Sequence, residues 1–164
     1  MRIGVIADTH GLLRPEAVAA LAGVDHILHA GDIGGDRIIR ELRTIAPVTF
    51  VNGNNDDDDG LAIKRVTLGG MRVLLTHILP KPNAPRAPLA ALLGKTDVVV
   101  FGHSHLPHNE IIGKIRFFNP ASAGPRRFDL PISVGILDGD SATHIALDER
   151  SVTALRSRMN QLSR

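Results

Sequence analysis

The chain has 164 residues, 43% of them hydrophobic and 22% charged, with a formal net charge of only +2. That length and balance predict one soluble globular domain over 1–164 with a sizeable core, and they supply no basic field for gripping nucleic acid. Cysteine is absent, which excludes disulfides, thiolate metal sites and a cysteine nucleophile; Trp and Tyr are absent too, leaving five Phe to stack on bases.

Ile3 to Ala7 is a short apolar run suited to a buried strand, followed by the turn Asp8-Thr9-His10-Gly11. Pro15 suits a first helical position, and Glu16 to Leu21 reads as a helix ending at Gly23. His26 to His29 alternates into a second strand before Gly31-Asp32. Asp36 is expected to cap a helix to about Thr44 with Ile38, Ile39 and Leu42 inward, and Val48 to Val51 is a third strand. This strand–helix alternation predicts parallel α/β packing. The second half changes character. Ala62 to Thr76 reads as a hairpin turning at Gly69-Gly70, and prolines 80, 82, 85 and 88 predict a loop. A brief helix follows at Leu89 to Leu93, then a strand at Asp97 to Phe101. Two antiparallel pairs are expected over Glu110 to Phe118 and Ile132 to Leu147, the latter turning at Asp138-Gly139-Asp140, and a terminal helix from Ser151 to about Met159. No run approaches the roughly 20 apolar residues of a membrane span, and no leader pattern precedes Ile3, so the expected compartment is the cytoplasm.

The predicted strands end in polar residues of one kind. Asp8 and His10, Asp32, Asn54, His77, and the pair His103 and His105 each follow an apolar run. In a sheet of parallel strands the carboxyl ends share one edge, so these side chains are expected to converge. Singly, each block has a plain explanation: a helix-start turn at Asp8, a positive-φ turn at Asn52-Gly53-Asn54, a core histidine at His77. Their joint order carries the weight. Two carboxylates, four imidazoles and a carboxamide exceed one tetrahedral ion and fit two divalent ions sharing a carboxylate, the machinery of phosphate-ester hydrolysis.

The order D-x-H, G-D, G-N, H and G-H-x-H resembles the calcineurin-like metallophosphoesterase superfamily, and especially its small single-domain bacterial and archaeal phosphodiesterases. The resemblance runs from Arg2 to about Asp148, and Asn119-Pro120-Ala121-Ser122 matches an N-P-G-S segment with Ala121 in place of Gly. It implies an α/β fold, a four-layer αββα sandwich of two mixed β-sheets flanked by helices. It also implies that Asp8, His10 and His105 hold one ion, that Asn54, His77 and His103 hold a second, and that Asp32 bridges. Manganese ranks first, with nickel, zinc or iron as alternatives. Asp32, Asn54 and His103 are the expected catalytic residues, serving a metal-bridging hydroxide that attacks phosphorus.

Two departures stand out. Larger members carry His directly after the ligand Asn, where this chain has Asn55, and His77-Ile78-Leu79 replaces a frequent H-G-H. Leaving-group protonation is therefore unassigned, with Asp56 as one candidate acid, and aryl diesters are the expected good substrates. Arg126 or Arg127, after the Gly124-Pro125 turn, reads either as a contact to a substrate phosphate or as an exposed arginine beside a hairpin. His29 reads as a core or supporting residue. The acidic run Asp56 to Asp59 reads as a solvated loop or helix start. The expected function is a divalent-metal-dependent phosphodiesterase acting on small phosphate esters, without membrane or nucleic-acid partners. The rivals are a non-catalytic scaffold, as in the retromer subunit of similar fold, and a nuclease or nucleotide pyrophosphohydrolase. Apolar residues from Ile111 to Phe118 suggest a homodimer face.

Overall fold

The apolar runs of the first half form β1 (Arg2–Ile6), β2 (His26–Ala30) and β3 (Val48–Val51), joined by α1 (Pro15–Ala20) and α2 (Asp36–Leu42). The remaining elements are β4 (Ile63–Leu68), β5 (Met71–Thr76), α3 (Leu89–Leu93), β6 (Val98–Val100), β7 (Pro107–Ile112), β8 (Ile115–Pro120), β9 (Ser133–Asp138), β10 (Ser141–Ala146) and α4 (Glu149–Leu162). This computed structural model describes residues 1–57, 59–80 and 89–162. The predicted loop at 81–88 lies outside the described residues, as does Asp58 of the acidic run.

Two five-stranded mixed sheets result, ordered β10-β9-β1-β2-β3 and β4-β5-β6-β8-β7. In the first, β1, β2 and β3 run parallel while β9 joins β1 antiparallel; in the second, β5, β6 and β8 run parallel between antiparallel edges. Alternation along each strand decides the layers. Ile3, Val5 and Ala7 of the first sheet meet Val73, Leu75, Val98, Val100 and Phe118 of the second in the inter-sheet core. Ile6 and Ile27 face the other way, under Ala17 and Leu21 of α1 and Ile38 and Leu42 of α2. Leu74 and Val99 point outward from the second sheet to Leu89, Leu92 and Leu93 of α3. Strands covered on both faces need apolar residues at nearly every position, which is why β1 and β6 read as unbroken runs. The αββα sandwich is therefore observed as expected.

Three expectations are corrected. Asp36 does not cap α2: Gly35 occupies that position at φ 125°, and Asp36 falls in the first turn. The residues Ile111 to Phe118 are not uniformly exposed, because Phe117 and Phe118 are buried and only Ile111 (58%) and Ile112 (56%) stand out on the β7 edge. The terminal helix begins at Glu149 and extends through Leu162, beyond both expected ends.

Candidate metal centre

The carboxyl ends of β1, β2 and β3 open onto the same edge as those of β5 and β6, so residues from both sheets meet there rather than along one sheet. Backbone hydrogen bonds sew these ends together. Asp8 N–H donates to Gly31 O (3.0 Å), His10 N–H to Asp32 O (2.9 Å) and Gly102 N–H to His77 O (3.0 Å).

All seven predicted side chains are brought together. His103 Nδ1 lies 3.0 Å from Asn54 Oδ1, which lies 3.1 Å from His77 Nε2. His77 Nε2 is 3.3 Å from Asp32 Oδ1, while the other oxygen, Asp32 Oδ2, is 3.6 Å from His10 Nε2. His10 Nε2 is 3.4 Å from His105 Nε2, itself 3.5 Å from Asp8 Oδ1. His103 N–H donates to Asp8 Oδ1 (3.2 Å) and closes the ring. Asp8, Asp32, His77 and His105 are buried, whereas Asn54 and His103 are exposed, so solvent reaches the ring from their side.

The ring's electrostatics fit cations. Burial and the neighbouring Asp32 charge push the Asp8 carboxyl well above the usual carboxylate range. Its Oδ2 is buried without a hydrogen-bond partner among the described residues. Burial lowers His10, His77 and His105, the last to about 4, so these imidazoles are neutral near neutral pH. His77 Nδ1–H donates to Ala30 O (2.7 Å), which leaves Nε2 as a lone pair facing the ring. Neutral nitrogens and carboxylate oxygens crowd together with few protons among them. Such an arrangement repels itself unless positive charge sits within it. Among the described residues, two groups of acidic and histidine side chains have donor atoms close enough to share an ion: Asp8, His10 and His105, and Asp8, Asp32 and His77.

Support comes from residues whose roles the sequence hid. Asn55, noted as a missing histidine, donates its backbone N–H (2.9 Å) and carboxamide N–H (2.7 Å) to the two oxygens of Asp32. Burial raises Asp32, but these bonds and the nearby His77 and His10 outweigh it and hold its carboxyl below the usual range. Asp56 is not an acid facing the ring: its oxygens accept from the amides of Ile33 (2.8 Å), Gly34 (2.8 Å) and Gly53 (2.9 Å), clamping two loops. Gly53 is required by close approach, since a Cβ there would sit 2.2 Å from Asp32 Oδ1. Asn119 donates to Gly102 O (2.8 Å), and Ser122 Oγ–H to Asp8 O (3.0 Å), so the Asn119–Ser122 segment braces both halves of the ring. The available signal was its place at the end of β8, parallel to β6. Arg126 turns away to Leu130 O, Asp148 and Ser151, whereas Arg127 Nη2 reaches within 3.4 Å of His10 Nε2.

The other histidines are structural. His29 is fully buried, bonded through Nε2 to Thr9 Oγ1 (2.9 Å) and lowered by burial to about 3. His26 bonds Thr49, His108 pairs with Glu110, and His144 Nε2–H donates to Asn119 O.

A two-sheet sandwich with a carboxylate–imidazole ring at its strand ends is an α/β architecture able to hold metal at that edge. The family model described as the calcineurin-like phosphoesterase superfamily domain matches residues 1–142. A probable metallophosphoesterase of Methanothermobacter thermautotrophicus is 37% identical over 151 residues, covering 85% of this chain and 88% of that protein. Phosphodiesterase YfcE of Escherichia coli is 29% identical, covering 94% of this chain and 96% of its own. The solved YfcE phosphoesterase superposes with a TM-score of 0.70 at 28% identity, covering 92% of this chain and 96% of that one. Vps29 of Chaetomium thermophilum, at 22% identity and a TM-score of 0.72 over 92% of each chain, shares the fold. The chain belongs to the calcineurin-like phosphoesterase superfamily and is a phosphate-ester hydrolase.

Proposed function

We propose that the whole chain, 1–164, is one metallophosphodiesterase domain whose site takes two divalent cations. The observation that carries this reading is the closed ring of seven donors, in which the two oxygens of Asp32 face different imidazoles. Asp8, His10 and His105 would hold one ion and Asn54, His77 and His103 the other, with Asp32 available to both. The ions, when bound, lower the pKa of water and neutralise the phosphoryl oxygens. The chain's own residues set the geometry. Asn55 orients Asp32, Ala30 O fixes the His77 tautomer, and Asn54 offers an oxygen that does not titrate. Exposed His103 and Asn54 line the side from which a phosphate ester enters. Because Asn55 carries no transferable proton at neutral pH, esters with good leaving groups are the preferred substrates. Manganese is proposed first, and the mixed oxygen and nitrogen donors accept nickel, zinc or iron as well. The cysteine-free chain is assigned to the cytoplasm, and the β7 edge with Ile111 and Ile112 to a homodimer, to be read by cell fractionation and sedimentation.

The test is hydrolysis of a chromogenic aryl phosphodiester and its monoester by metal-stripped protein, with manganese, nickel, zinc or magnesium restored singly. Wild type regains diesterase activity with a transition metal, and Asn54→Ala and His103→Ala do not. Equal activity in the variants or in chelator removes the proposal.

A further inference from the structure

Phe128 is 91% exposed and holds φ at +52°, in the left-handed region. Each property is unfavourable for an aromatic residue. The backbone costs an L-residue roughly 1–2 kcal/mol, and the ring gains nothing from burial. Glycine fits such a position without that strain, so folding does not account for a phenylalanine there.

The surroundings are built rather than loose. Gly124 presses so closely on the backbone of Asp8 and Thr9 that a Cβ would lie 2.5 Å from Asp8 O and 2.3 Å from Thr9 O. Arg14 Nε donates to Gly124 O (3.2 Å). Arg126 ties the far side to Leu130 O (2.6 Å), and Leu130 N–H closes a turn onto Arg127 O (3.1 Å). Phe128 is the second residue of that turn, and Arg127 before it extends its guanidinium to within 3.4 Å of His10 Nε2. At 3.4 Å this contact is long for a hydrogen bond, so it holds the guanidinium only loosely. Were His10 Nε2 to hold an ion, Arg127 would lose this acceptor and its N–H donors would be left for an anion at the rim. Arginine suits that task, since its planar fork matches two phosphoryl oxygens.

We propose that Arg127 and Phe128 form a specificity rim in which Arg127 binds a phosphoryl oxygen of the substrate and Phe128 stacks on a planar, aromatic ester group. This rests on the phosphodiesterase reading above and adds a substrate class to it: phosphate esters bearing an aromatic ring, in preference to small alkyl or saturated ones. Phe128 follows Arg127 directly, one Cα step of about 3.8 Å along the same turn.

The experiment is calorimetric binding of phenylphosphonate, cyclohexylphosphonate and methylphosphonate to the manganese-loaded full chain. Aryl diester hydrolysis is measured in parallel. Wild type is expected to bind the phenyl compound about five- to tenfold more tightly than the other two, the scale of an aromatic contact. Phe128→Ala removes that preference and leaves methylphosphonate affinity unchanged, while Phe128→Tyr keeps the preference. Arg127→Ala weakens all three ligands about equally, and Arg127→Lys restores part of the loss. The proposal is overturned by a preference that survives Phe128→Ala, by Arg127→Ala binding like wild type, or by no phosphonate binding to wild type. Binding with the expected pattern but without hydrolysis instead removes the diesterase reading and leaves the rim standing.

Discussion

Asp8→Asn is expected to stabilise the metal-free protein and destabilise it relative to wild type when metal is present. Asp8 is fully buried, with one oxygen accepting a 3.2 Å bond from His103 N–H and the other unpartnered among the described residues. An uncompensated buried carboxylate costs several kcal/mol, and asparagine has its shape without its charge. Setting aside part of that gain for the imperfect partners of a carboxamide leaves about 2 kcal/mol. For a chain of this size that is an increase in Tm of roughly 4–8 °C in chelator. With metal at a hundred times its Kd, wild type gains about 2.7 kcal/mol and the variant, lacking a ligand, gains far less, so the order inverts. The pH sign follows from the raised Asp8 carboxyl. Its stabilising contribution is complete below the unfolded carboxylate pKa, about 3.9, and is lost as pH rises through the folded value. The metal-free gap between variant and wild type should therefore widen from pH 4 upward. His29 and His105, lowered to about 3 and about 4, cost stability in the opposite direction as pH falls below the usual imidazole range. His29 is common to both proteins and cancels in the difference, whereas His105, 3.5 Å from Asp8 Oδ1, adds its own change to the gap at the acid end. Thermal unfolding monitored by circular dichroism, with chelator and with manganese across pH 4–8, decides the matter. A variant less stable than wild type in both states would refute the reasoning.

Gly53→Ala should abolish metal-dependent hydrolysis, because the new methyl would lie 2.2 Å from Asp32 Oδ1 and displace it; near-normal kcat/KM would show that the loop yields. Asn55→Ala removes one of two hydrogen bonds that hold Asp32 and should weaken metal binding about 10- to 100-fold, read by chelator competition. Ala121, buried at φ +68°, should tolerate Gly within about 1 kcal/mol, while Ala121→Val should cost more than about 2 kcal/mol in urea unfolding, since a β-branched residue resists that backbone.

The strands and the seven ring residues were legible because each signal is local: an apolar run followed within a few positions by a polar donor. What was hidden depends on contacts between distant segments. The pairing of β9 with β1 joins Arg2 to Asp138, and no nearby pattern announces it. Asn55 read as a lost histidine, yet its function lies in Asp32, 23 positions away. Asp56 read as a candidate acid, and only the fold shows it occupied instead by the amides of Ile33, Gly34 and Gly53. Arg126 and Arg127 are adjacent and chemically identical in sequence. The turn at Leu130 separates them, sending one to Asp148 and the other to His10.

Five of the seven ring residues, Asp8, His10, Asp32, His103 and His105, hold positive φ. At roughly 1 kcal/mol each, that strain amounts to about 5 kcal/mol, a large share of the 5–15 kcal/mol that holds a domain folded. The cost is set by the direction the donors must take. A strand that continued in extended conformation would send alternate side chains to opposite faces of the sheet. A left-handed residue at the strand end turns the chain at once, so that Asp8 and His10 face the same ring. The neighbouring loops make this bend durable. His10 N–H is held by Asp32 O, and Asp8 by both Gly31 O and His103 N–H, so no one loop can relax without breaking bonds in another. The strain is thus shared among loops from both sheets, and a cation held in the ring would supply the charge that offsets the crowding of its donors.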